Sequence, residues 1–72
     1  MQATGEFFGV DNAAFNRMVS TNDEASNRML EDLLRTFTAA ADQEENADEK
    51  LRHTWRVGFL TGIKFTRLGF AS

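Results

Sequence analysis

Met29, Leu30, Leu33, Leu34, Phe37, Ala40 and Ala41 recur at steps of three and four, a spacing that gathers side chains on one side of an α-helix and scatters them on a strand. The stripe predicts a helix from about Asp23 to Gln43. Thr21 and Glu24 stand at capping-box spacing before it, and acidic Asp23 and Glu24 suit the positive end of its dipole. Upstream, Asp11 is a candidate N-cap. Ala13, Ala14, Phe15, Met18 and Val19 then hold helical spacing for about two turns, until Ser20-Thr21-Asn22-Asp23 ends the run. Residues 1–10 carry two glycines and the Phe7-Phe8 pair, too short for a domain and too apolar for a solvated tail. They are expected to dock as an arm on a single helical domain spanning residues 11–72.

Asp42 to Glu49 decides the architecture, because it is polar apart from Ala47 and contains neither Gly nor Pro. Asn46 and Glu49 repeat the capping-box spacing, which favours a new helix near Ala47 and therefore a helical hairpin. Two alternatives stay open. A heptad reading through Leu30, Leu33, Phe37, Ala40, Ala47, Leu51, Gly58 and Phe65 keeps phase, with Glu44 as its main offender, and describes one long coiled-coil helix. Alternatively, the β-formers of 55–60 and 63–68 make a C-terminal β-hairpin about Thr61-Gly62, although Thr-Gly is a poorer two-residue turn than Asn-Gly. A helix of roughly fifty residues lies far outside the usual lengths. The expected fold is thus all-α, a short N-terminal helix followed by a helical hairpin.

A chain of 72 residues buries only roughly 60% of the surface its unfolded form exposes. With no Cys and one His it has no disulfide and no metal-ligand spacing to add stability, so no metal or cofactor is expected. Assembly into a homo-oligomer is expected instead, through the Leu30, Leu33 and Phe37 stripe and a seam of Gly58, Gly62 and Gly69. The absence of Cys fits a reducing cytoplasm. Met1 to Val10 lacks the basic flank and long apolar stretch of a signal peptide, and no run approaches the ~18 apolar residues of a membrane span.

Charge is sharply segregated. All eleven acids lie at or before Glu49 against three Arg, a sum of −8, while the last twenty-three residues carry five Lys/Arg, a sum of +5. On a wheel at 100° per residue, Leu51, Gly58, Gly62, Phe65 and Gly69 share one face with Trp55 at its edge. Arg52, His53, Arg56, Lys64 and Arg67 lie opposite, interleaved with Val57, Leu60, Ile63 and Leu68. Each helical Gly costs about 0.5–1 kcal/mol relative to Ala, which close approach of a second backbone offsets. Apolar walls between cations suit an anion carried by a flat group, with Arg56, Lys64 and Arg67 for charge and Trp55 and Phe59 for stacking. The structural alternative pairs the same cations with Glu31, Asp32, Glu44 or Glu45 of the preceding helix.

No nucleophile elbow, phosphate-cradling Gly loop or repeat is present, and His53 has no nearby C-terminal carboxylate to orient it, so catalysis is not expected. An overall acidic chain, net −3, is a poor duplex binder, which disfavours nucleic acid as a partner. In size and layout, residues 12 to 70 resemble the short helical proteins that phages use to disarm bacterial defence, including helical-hairpin oligomers that sequester cyclic nucleotide signals. The resemblance is architectural and transfers no residue. It implies a non-enzymatic protein that captures a small anionic ligand, a (cyclic) nucleotide signal for instance. The competing expectation is an inhibitor or regulator that occludes a protein partner through Phe7, Phe8, the acidic loop or exposed apolar residues of the last helix.

Overall fold

A computed structural model of the chain describes residues 4–68, which form α1 (Thr4–Phe7), α2 (Asn12–Ser20), α3 (Glu24–Gln43) and α4 (Ala47–Leu68). No strand occurs among the described residues, so the segment read alternatively as a β-hairpin is helical. Its threonines adapt to the helix by donating to carbonyls one turn back, Thr54 Oγ1 to Lys50 and Thr66 Oγ1 to Gly62, at 2.8 and 2.9 Å. The single rod is overturned too. Glu44 turns extended, with φ −80° and ψ 129°, and α4 folds back antiparallel on α3. Folding back places the α3 stripe against Leu60 and Ile63, burial that an isolated rod lacks.

Side-chain acceptors set the helix starts. Asp11 takes the N–H groups of Ala13 and Ala14 for α2, and Asn46 takes that of Glu49 for α4 at 3.0 Å. At α3 the cap is Asp23, which accepts from Ser26 N–H at 2.8 Å, and not the expected Thr21. Thr21 instead closes α2, its own N–H donating to the Arg17 carbonyl. The Ser26 N–H, aided by Arg17, holds the partly buried Asp23 carboxyl below its ordinary 3.8.

The arm enters the core. Gly5 lies so close to α2 that an added Cβ would sit 2.7 Å from the Val10 carbonyl oxygen, and its N–H donates to Asn12 Oδ1. Gly9 takes φ +75°, the left-handed turn that aims the preceding residue inward and that glycine adopts without a Cβ clash. Phe8 is thereby buried with Phe15, Met18, Leu30 and Leu60, flanked by Val10, Met29, Leu33, Leu34, Phe37 and Ile63. Its ring stacks on Phe15 at 4.8 Å and meets Phe37, Phe59 and Trp55 at 6.1, 5.6 and 6.4 Å, touching α2, α3 and α4 together.

Two outcomes follow. Replacing Phe8 by Ala costs about 3–5 kcal/mol, much of the roughly 4–10 kcal/mol expected for a chain of this length, while Phe7→Ala, at a more exposed ring, costs less; urea unfolding followed by circular dichroism compares the two. Because Asp23 has a lowered folded pKa, its contribution is present above the ordinary 3.8 and lost as pH falls through the lower folded value. Asp23→Asn keeps a cap acceptor but not the titration, so its melting temperature declines less than the parent's from neutral to strongly acidic pH.

Candidate functional site

The cations of α4 turn toward the rest of the chain. Arg67 Nη1 donates to Asn27 Oδ1 at 2.8 Å, and its Nη2 donates to the carbonyls of Met18 and, at 2.9 Å, Thr21. These carbonyls end α2, where the helix leaves acceptors unmet and the dipole favours a positive group. Arg67 is thus the C-terminal clamp of α2. Arg56 Nε donates to the Phe7 carbonyl at 2.7 Å, and its Nη1 donates to His53 Nδ1 at 2.8 Å. The guanidinium lies 4.2 Å from the Phe7 ring centre and 5.1 Å from that of Phe37, pinning the arm to the hairpin. Lys64 pairs with Glu31 at 2.9 Å, one of the acidic partners weighed from sequence. His53 stacks on Phe37, with Glu44 3.9 Å from its Nε2.

The five residues expected to hold a ligand are not gathered at one place. Lys64 and Arg67 line a cleft of about 220 Å³ with Asn22, Asn27, Leu30 and Glu31, small beside the roughly 300–1,000 Å³ of ligand pockets. Arg56 lies eleven residues before Arg67, roughly 16 Å along the axis. Trp55 and Phe59 stack on each other at 5.7 Å with planes 8° apart, beside Phe7 and Phe8 and away from the Lys64–Arg67 cleft.

The residues expected at a contact between protomers also divide. Leu30 is buried in the chain's own core, and Leu33 and Phe37 are half-buried against it, so this stripe joins α3 to the rest of its own protomer. Gly58 and Gly62 face outward, and a Cβ added at either would meet no atom within 4 Å beyond the adjoining residues and the local helix backbone. Gly69 lies outside the described residues. Around the two glycines, Leu51, Trp55, Phe59 and Phe65 are 69, 56, 37 and 51% exposed. Between Thr54 and Thr66 the only charged residues are Arg56 and Lys64, both directed to partners within the chain.

Reading the sequence placed both helical faces correctly but missed Phe8 as the core centre and Arg67 as a clamp on backbone carbonyls. No helix among the described residues is long and apolar enough to cross a membrane, and no cluster of His, Cys, Asp and Glu there has metal-binding form. No known family model, curated protein or solved structure matches the chain.

Removing the Arg67 guanidinium strands the α2 carbonyls. Arg67→Ala is expected to cost about 1–3 kcal/mol, whereas Lys64→Ala, which breaks a solvent-screened pair, costs less than about 1 kcal/mol; equal losses in urea unfolding would refute the clamp.

Proposed function

We propose that this chain is a non-enzymatic protein-binding module that works through the outward face of α4. The observation that carries the reading is that α4 is apolar on both faces: Leu60 is buried in the chain's own core, yet a second apolar set on the other side is left in water. A surface helix ordinarily turns apolar side chains to the core and charges to water. Here Arg56, Lys64 and Arg67 point to internal partners, while Leu51, Trp55, Phe59 and Phe65 are exposed beside Gly58 and Gly62. Those four side chains leave on the order of 400 Å² of apolar surface in water, given the roughly 150–250 Å² an aromatic side chain can bury. Contiguous apolar patches of about 300–600 Å² are often functional on a monomer. Depletion of charge and enrichment in Trp and Phe are the compositional marks of an interface core.

Capture of a small anion is the weaker reading. Arg56, Lys64 and Arg67 are held by carbonyls, an imidazole, an amide oxygen and a carboxylate of the chain itself, so a ligand would have to displace structural contacts. A cytoplasmic setting accords with a chain that has no cysteine.

The test is face-specific photo-crosslinking in cells, with benzoylphenylalanine placed at Leu51 or Trp55 and, for comparison, at exposed Arg35 on α3. Light-dependent protein adducts from the two α4 positions and not from Arg35 are expected. Adducts from neither α4 position, or equal yields from Arg35, would sink the reading.

A further inference from the structure

We infer that the occupant of this face is a second copy of the chain, with the two α4 helices crossing antiparallel about a two-fold axis level with the midpoint between Gly58 and Gly62. The inference rests on the docking role proposed above and names its partner. A two-fold interface uses one patch twice, so the patch must complement itself. In an antiparallel pair about that axis, Gly58 faces Gly62 of the second copy, Trp55 faces Phe65, and Thr54 faces Thr66. Glycine meets glycine at the crossing, where the axes are nearest; aromatic meets aromatic about one turn away, where the helices diverge and leave room for rings. Phe59 faces Thr61, so the match in kind holds at the crossing and at the rings on either side of it rather than at every position.

Three further observations agree. Beyond the local backbone of α4 and the adjoining residues, neither glycine has an atom of its own protomer within 4 Å of an added Cβ, so the helix weakening of about 0.5–1 kcal/mol at each is unexplained within one copy. A second backbone lying near the short end of the ~8–10 Å range of helix packing explains it. Dipoles favour one direction: antiparallel pairing sets the positive end of each α4 beside the negative end of the other, whereas parallel pairing stacks like on like. Finally, the exposed apolar surface with its flanking glycines and threonines would bury about 1,000 Å² over both copies, at the small end of specific interfaces. A reversible dimer is expected rather than a permanent one.

The test uses the full chain. Sedimentation equilibrium from low-micromolar to millimolar concentration should show monomer passing to dimer, and Gly62→Leu should remain monomeric throughout while keeping the parent's helicity. Because the chain has no cysteine, Gly58→Cys and Gly62→Cys report the register. Mixed and oxidised together, they should form the 58–62 disulfide several-fold faster than either same-site disulfide. A parent that stays monomeric, a Gly62→Leu variant that still dimerises, or a prevalence of same-site disulfides would overturn the inference. A monomeric parent that nevertheless gives Leu51 and Trp55 adducts with other proteins would overturn self-pairing while leaving the docking role standing; a monomer with no adducts would overturn both.

Discussion

The fold depends on the Phe8 ring. α3 and α4 alone offer each other one buried Leu apiece and a set of half-buried neighbours, too little apolar contact to fix a hairpin of this length. Phe8 reaches into that hairpin from the arm and touches rings on α2, α3 and α4 at once. Its position is prepared on both sides, by Gly5 bonded to Asn12 and by the left-handed turn at Gly9. Residues 4–10 therefore act as a plug, converting two helices and a short third into a body with an interior.

The cations of α4 serve the same assembly. Arg56 holds the arm's carbonyl at Phe7 while covering the Phe7 and Phe37 rings, and Arg67 meets the carbonyls where α2 ends. Both contacts join elements far apart in sequence, and both give a backbone acceptor a charged donor, a stronger bond than a neutral one. The charge segregation of the chain thus has a local cause. Basic groups are needed on α4 because the arm and α2 present carbonyls to it, and Lys64 adds one pairing with acidic α3.

How much of this was legible follows from what periodicity records. The α3 stripe and the Asn46 cap are local signals, and both the helix and the turn after it were readable from them. Asp23 was displaced by two positions because Thr21 had two possible roles, ending one helix or starting the next, and the spacing alone favours neither. On α4 the wheel separated two faces correctly, Gly58–Gly62–Phe65 from Arg56–Lys64–Arg67, but each carried apolar residues, and a wheel does not say which face turns inward. That choice is made by acceptors on α2 and the arm, nearly fifty residues away for Arg67 and Met18. Phe8 was missed as the core centre for the same reason, since no local pattern records what a short arm will meet.

The outward face and the interior are not independent. Trp55 stacks on Phe59, and Phe59 meets both Phe8 and Phe15, so one aromatic network runs from solvent to the core centre. Trp55 also meets Phe8 directly, so water at Trp55 is one ring from the plug that holds the arm. A partner that covers Trp55 enlarges the interior rather than merely adhering to it, and since only the folded chain presents that face, binding and folding reinforce each other by mass action. In a chain whose buried apolar set among the described residues is five side chains, the association proposed above would supply apolar burial that the single copy lacks at Leu51, Trp55 and the two glycines.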